Sequence, residues 1–425
     1  MAAEISDRAS KLIHALDVPW RWAPRGTYSP RNSPDGLVTF ATAENTLIHP
    51  ELDKFTCEKV RIPQDALTYQ YSTAGGARLP ILIAQHLNEH FKPARALNGS
   101  EIRVTGAATA MHEILGWAVG DLGDGILTSR PAYGRLELDF GNKAGLSMVY
   151  ADDTNWCNAF DPPVVYKFER AMAASPVRVR ALFIINPHNP VGRCYPRETL
   201  VEIMRFCQKH QIHLISDEIY GSSVFRSTDD PKLPDFTSVL AIEPGVIDDR
   251  LLHVTYGFSK DFGAAGLRLG CIITRSPRVL DVVQMAMRFH NPSGASVAIF
   301  SAILEDRNWC NAFLAESRRK IGEAYAFVTA GLTRMGISFV SAIAGFFVYV
   351  DLSPFLTTIQ STAEGKEEQD PEFALAQKFL DAGVFLHPKE EHGGWGWFRI
   401  VYTQERHIVT EGLRRMEVVL GQINH

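Results

Sequence analysis

Several side chains able to do chemistry together come up in chain order, each directly after an apolar run. Asn186 and Asn189 stand in "INPHNPVG", Asp217 and Tyr220 in "LISDEIY", and Lys260 and Arg268 in "GFSKDFGAAGLRLG". Upstream, Thr105 to Thr109 follow "EIRV", and Tyr133 stands in "RPAYG". Each has a plain structural explanation when taken alone. Asp217 could cap a turn, Asn189 could serve a proline-rich turn, Lys260 could be a surface lysine, and Arg268 could pair with an acid. As a set they stop looking independent. The glycines around Lys260 also cost backbone entropy, which favours a demand for close approach over simple packing.

An amine, a carboxylate, a guanidinium, an amide and a phenol are the requirements of one cofactor, pyridoxal 5'-phosphate (PLP). Its aldehyde needs a lysine to form a Schiff base. Its pyridine nitrogen needs a carboxylate that keeps it protonated, so that the ring draws electrons. Its phosphate suits a guanidinium and a helix N-terminus. Its ring oxygen suits a donor such as Asn189 or Tyr220.

Such residues must be held by strand ends. Between Tyr69 and Pro292 short apolar runs alternate with helical patterns: "EIRVTGAA" before a helix near Thr109, then "GDGILTSRP", "VRALFIINP", "HQIHLISDE", "LLHVTYGFS" and "LRLGCIITR". That alternation implies βαβ units and a mainly parallel sheet with helices on both faces, where ligands sit at the carboxyl ends of the strands. After Ser293 a long amphipathic helical stretch runs to about Met335, followed by "AGFFVYVDLSP", "WFRIVYT" and a last helix ending near Leu420, the pattern of a smaller α+β domain. The expected division is residues 1–68 as an N-terminal arm with part of the small domain, 69–292 as the large domain, and 293–425 as the small C-terminal domain. The first sixty residues, with Trp20, Trp22 and Tyr28, read as irregular, and the polar segment 361–372 as a mobile surface loop.

The chain has 425 residues, 46% apolar and 21% charged, with a net charge of −5. That size suits two domains, and that charge gives no reason to expect nucleic acid or an anionic membrane as partner. Six scattered cysteines without a CxxC pair suggest reduced thiols. With no apolar leader in "MAAEISDRAS" and no apolar run of membrane-spanning length, a cytoplasmic protein is expected. "HLNEH", with His86, Glu89 and His90, has helical metal-ligand spacing, but exposed polar residues are the expected account and no metal is expected. "VTGAAT" lacks the Gly-x-Gly of a dinucleotide turn, so an oxidoreductase reading is set aside.

"NPHNPVG", "SDEIY" and "SKDFGAAGLRLG" resemble class I/II aminotransferases of PLP fold type I. Within that superfamily "ATAENTL", "YQYSTAGGARLP", "GAATAMHE" and "GWFRIVY" are similar to 1-aminocyclopropane-1-carboxylate (ACC) synthases and their fungal relatives. The resemblance implies that Lys260 binds PLP and then moves the Cα proton, and that Asp217 pairs with the pyridinium. It implies that Tyr220 and Asn189 hold the ring oxygen, that Ala108, Thr109 and Arg268 hold the phosphate, and that Tyr133 stacks on the ring. Arg399 would clamp the substrate α-carboxylate and Glu44 would lie near the substrate. Tyr71 would reach the phosphate of a neighbouring subunit, which implies a homodimer with shared sites. Two departures stand out: Gly257, where plant-type ACC synthases commonly carry serine, and the insertion "TAGGA" after Ser72, expected at the lip of the cofactor pocket.

Loss of the Cα proton can lead to transamination or to expulsion of a side-chain leaving group. The resemblance implies an aminotransferase-type enzyme, with fungal relatives common in secondary metabolism. The alternative is an ACC-synthase-like elimination enzyme, a carbon–sulfur lyase. A non-catalytic binding module is the reading from another class, and the chemically competent residues at the cofactor positions argue against it.

Overall fold

The computed structural model describes residues 5–16, 26–152, 160–227, 229–362, 370–388 and 394–423. Twelve strands occur among them. The first is short, β1 (Val38–Thr39). Seven build the main sheet: β2 (Ile102–Thr105), β3 (Gly125–Ser129), β4 (Ser147–Ala151), β5 (Val179–Ile185), β6 (His213–Asp217), β7 (Leu252–Gly257) and β8 (Gly270–Thr274). The remainder are β9 (Ser338–Phe339), β10 (Phe347–Asp351), β11 (Val384–Phe385) and β12 (Trp397–Val401).

The main sheet has the order β2-β8-β7-β6-β5-β3-β4. Every pair from β7 to β4 is parallel, and β8 runs antiparallel to both of its neighbours. Helices 108–119, 136–141, 164–174 and 197–210 fill the first crossovers. Successive residues of a strand feed opposite cores. In β5, Ala181, Phe183 and Ile185 join one apolar cluster while Leu182 and Ile184 join the other. Both faces are therefore covered, which is why these strands read as continuous apolar runs. The first of those clusters continues into the small antiparallel sheet, order β12-β10-β9, through Phe347, Phe398 and Ile400.

Several expectations need correction. The helical stretch after Ser293 is two helices, Gly294–Glu305 and Arg307–Arg334, divided at Asp306, whose carboxylate accepts from Trp309 N and caps the second. The first sixty residues are not irregular throughout. Asp7–Leu16 is helical with an acid in its first turn, and His49–Lys59 starts with a proline where the missing N–H costs nothing. Trp20 and Trp22 lie outside the described residues, as do residues 363–369 of the expected loop. The ends of that loop are helical: Thr362 closes one helix and Pro371–Asp381 forms the next. Glu372 is buried there and accepts from Gly396 N at 2.6 Å. His86 is also buried rather than exposed, with Nε2 3.2 Å from the Tyr256 hydroxyl. Cys57, Cys194, Cys207, Cys271 and Cys310 are free thiols, and no described helix is long and apolar enough to cross a membrane.

Candidate active site

The carboxyl ends of β5, β6 and β7 open into a cavity of about 380 Å³. Its walls include Glu44, Ala108, Thr109, Tyr133, Asn189, Asp217, Tyr220, Lys260, Arg268 and Arg399. Ten of the residues singled out from sequence thus converge from segments more than 350 positions apart. A roomier groove, about 840 Å³, lies between residues 33–37, 380–383 and the last helix, but no lysine lines it. Chemistry, not volume, selects the smaller cavity.

Each side chain is placed by a strand end or a cap. β7 ends at Gly257 and passes into the short helix Phe258–Asp261, which puts Lys260 at the mouth of the cavity. Lys260 Nζ donates to Ala43 O at 2.6 Å and lies 5.9 Å from the centre of the Tyr220 ring. Tyr220 is buried, with its ring edge-on to Phe346 and Phe347. Arg268 holds a left-handed backbone, φ 48°, uncommon for a residue with a side chain. That strain, of order 1–3 kcal/mol, is of the kind that clusters at ligand sites.

Asp217, the last residue of β6, is not a turn cap. It is 2% exposed, its Oδ1 accepts from Thr255 Oγ1 at 2.9 Å, and its Oδ2 lies 3.3 Å from His112 Nε2. On the other wall, Arg399 of β12 donates Nη1 to Asn189 Oδ1 at 2.9 Å and Nη2 to Ala41 O at 2.7 Å. Because the amide oxygen of Asn189 faces the guanidinium, its NH2 is left as the donor side. Asn186 has a structural task instead: its Oδ1 accepts from Tyr195 N and its Nδ2 donates to Thr237 O.

Helix Ala108–Val119 begins at the cavity, and its cap residue Ala107 makes no side-chain capping bond. Its first-turn N–H groups and the positive end of its dipole point toward the ligand space. Thr109 and Arg268 are exposed at this end.

Tyr71 does not line the cavity of its own chain. It is half-buried in the short helix Tyr69–Ser72 and packs on the second apolar cluster. Nor does the "TAGGA" segment form the lip of that cavity. Ala74, Gly75 and Gly76 have successive positive φ angles, Gly75 lies against Val104, and Ala74 N donates to Asn291 Oδ1 at 3.2 Å. A side chain at Gly75 would collide with Val104, so the glycine is required there.

Further polar wall residues escaped the sequence reading, among them His112, Arg135, Asp139, Ser259 and His387. One signal was available for His112. It lies four residues after Ala108 and three after Thr109, so it shares their helix face. Arg135 Nη2 is 3.4 Å from His387 Nε2, a contact spanning 252 positions that no spacing rule reveals.

The profile of the family "Aminotransferase class I and II" matches residues 71–415. Among curated proteins, a probable aminotransferase (tcpI) of Claviceps purpurea is 32% identical over 91% of this chain and 89% of its own length. The probable aminotransferase sirI of Leptosphaeria maculans is 29% identical over 94% of both chains. The mouse 1-aminocyclopropane-1-carboxylate synthase-like protein 1 is 30% identical over 92% of this chain and 78% of its own. Among solved structures, a mutant aspartate aminotransferase of Thermus thermophilus superposes with a TM-score of 0.73 at 21% identity, over 98% of this chain and 97% of that one. The chain therefore belongs to the class I and II aminotransferases, an aminotransferase-type enzyme with the α/β architecture of PLP fold type I.

Proposed function

We propose that the cavity binds PLP and acts at the α-carbon of an amino acid, transferring its amino group. The observation that carries this is the convergence of Lys260, Asp217, Arg268 and Arg399 on one cavity. The donor set fits the cofactor: an amine at the mouth, a buried carboxylate beneath, a helix N-terminus with a guanidinium at one end, and a second guanidinium opposite.

When bound, PLP would supply a carbonyl that captures amines and a protonated ring that draws electrons from the substrate α-carbon. Lys260 would hold the group covalently and, as a free amine, take and return the proton of the α-carbon. Asp217 would hold the proton on the ring nitrogen. Asn189 and Tyr220 would donate to the ring oxygen, and Tyr133 would cover the ring face. Ala108, Thr109 and Arg268 would receive the phosphate. Arg399, oriented by Asn189 and Ala41, would fix the substrate α-carboxylate.

The likeness to an ACC synthase-like protein and the place of Glu44 on the cavity wall favour a second reading, elimination of a β or γ substituent with cleavage of a carbon–sulfur bond. Either activity suits the modification of unusual amino acids in secondary metabolism, in keeping with the fungal probable aminotransferases. A homodimer with shared sites accords with the position of Tyr71 outside its own cavity and with Leu67 and Tyr69, 83% and 95% exposed beside it. The three-part division at 68/69 and 292/293 accords with the main sheet lying within 102–274 and with β1 pairing to β11. The five free thiols among the described residues accord with a cytoplasmic location.

Purified protein should show the visible absorbance of a lysine-bound cofactor, and borohydride should fix that cofactor on the Lys260 peptide. Amino acids and S-substituted cysteines should then be screened with keto acid, ammonia and thiol scored separately. Keto acid with retained nitrogen on the cofactor marks transamination, whereas ammonia with thiol marks elimination. Protein that never takes up PLP would return the binding-module reading.

A further inference from the structure

On the cavity wall His112 and Asp139 form a buried charge relay with Asp217, of which the proposed chemistry uses Asp217 alone. His112 is 1% exposed and stands between two carboxylates from different elements. Its Nδ1 is 2.9 Å from Asp139 Oδ2, and its Nε2 is 3.3 Å from Asp217 Oδ2. The first contact is an aligned hydrogen bond, while the second is a charge contact without hydrogen-bond alignment. Phe140 stacks on the imidazole at 5.6 Å with planes 16° apart, and Phe183 abuts it edge-on at 5.0 Å, so packing holds the ring in this orientation. Asp139 is itself buried, in helix Leu136–Gly141.

Two facts follow from elementary chemistry. A neutral imidazole has one N–H, so between two carboxylates it would turn a lone pair toward one of them, whereas imidazolium presents a donor to each. Two carboxylates and one imidazolium leave one net negative charge, which a single protonated ring nitrogen cancels. Without the imidazolium the same floor would hold two uncompensated negative charges, costly in a buried place.

We propose that His112, held by Asp139, is a positioning residue for Asp217: as an imidazolium it orients that carboxylate and sets the charge of the cavity floor to match one cationic ring nitrogen. The inference rests on the PLP reading. Burial works against the charged ring, but the hydrogen bond to Asp139 and the charges of Asp217 and Asp139 outweigh it and raise His112 to about 9. Asp139 and Asp217, from two different elements, are the charged groups that act on it. Because its folded value is raised above 6.5, the stability His112 contributes is fully present below pH 6.5 and is lost as pH rises through about 9.

The test uses His112→Asn, Asp139→Asn and the double variant, all neutral replacements of similar polarity. Urea unfolding of protein without added PLP reads the relay by itself. Between pH 6.5 and 9 the folded-to-unfolded ratio of wild type should fall by about 10²-fold relative to His112→Asn. An identical pH dependence in both proteins would overturn the imidazolium. PLP titration, followed by visible absorbance, reads the positioning role. His112→Asn removes the group that orients Asp217 and should bind PLP about tenfold or more weakly, the scale of one lost charge-assisted contact. In urea the double variant, which no longer buries an unpaired second carboxylate, should be more stable than His112→Asn. A merely structural role predicts the reverse, because the double variant removes more native contacts. Wild type that takes up no PLP would sink the cofactor reading and this one with it. Wild type that binds PLP while the double variant is no more stable in urea than the single would sink the His112 assignment alone.

Discussion

Replacing Arg399 by leucine gives an effect whose size can be worked from the geometry. The guanidinium is 5% exposed, makes the two bonds to Asn189 Oδ1 and Ala41 O, and lies 5.3 Å above the Phe347 ring. These contacts fix the plane of a fork that suits a carboxylate. A hydrogen bond to a charged group is worth about 1.5–3 kcal/mol, so a bidentate clamp on the substrate amounts to about 3–6 kcal/mol. Loss of the clamp should lower kcat/KM by about 10²–10⁴-fold. The substitution also leaves the buried Asn189 Oδ1 without this donor, at about 1–3 kcal/mol, so the variant should melt earlier as well. The assay compares an amino acid with the amine of the same side chain that lacks the α-carboxylate. Turnover of the amino acid should collapse, while the slow turnover of the amine should hardly change. Arg399→Lys should recover little, since a single ammonium keeps the charge but not the fork. An equal loss on both compounds would refute the clamp and leave Arg399 as a support for Asn189.

Three further outcomes can be checked with the same preparations. Lys260→Ala should abolish turnover with the fold intact by circular dichroism, and borohydride labelling of any other lysine in wild type would contradict the assignment. Asp217→Asn should retain PLP yet lose about 10²–10³-fold in kcat, because a neutral amide cannot hold the ring nitrogen protonated. Near-normal turnover would reduce the acid to a partner of Thr255 and His112. Tyr71→Phe removes one bond to a charged acceptor, about 1.5–3 kcal/mol, and should weaken PLP retention by about 10- to 100-fold. Mixing Tyr71→Phe with Lys260→Ala subunits should restore activity, since one site of a heterodimer then carries neither lesion. No recovery despite subunit exchange shown by mass would remove Tyr71 from a shared site.

The candidate residues that line the cavity were legible in the chain because strand-end residues are read locally. An apolar run followed by a polar residue and a turn marks a sheet's carboxyl end, and the run of Asn189, Asp217, Lys260 and Arg268 needed no knowledge of distant contacts. The parallel sheet followed from the same alternation. Boundaries and burial of segments that depend on their neighbours were not legible. His86 sits on a helix that reads as amphipathic, yet Tyr256 from a strand 170 positions away takes up its ring nitrogen and buries it. Glu372 lies in a polar stretch, yet the backbone of Gly396 makes its burial affordable.

By itself the sequence determined which groups are candidates for the site, their order and the strand ends that carry them, since residue type and short-range spacing decide those. Only the tertiary structure decided which groups meet. It set Arg399 against Asn189 across 210 positions, joined His112 to both Asp139 and Asp217, and left Tyr71 outside the cavity of its own chain. The reason is geometric. A contact between two elements depends on helix rotation, crossing and strand register, which follow from packing of the whole core and leave no local trace at either residue.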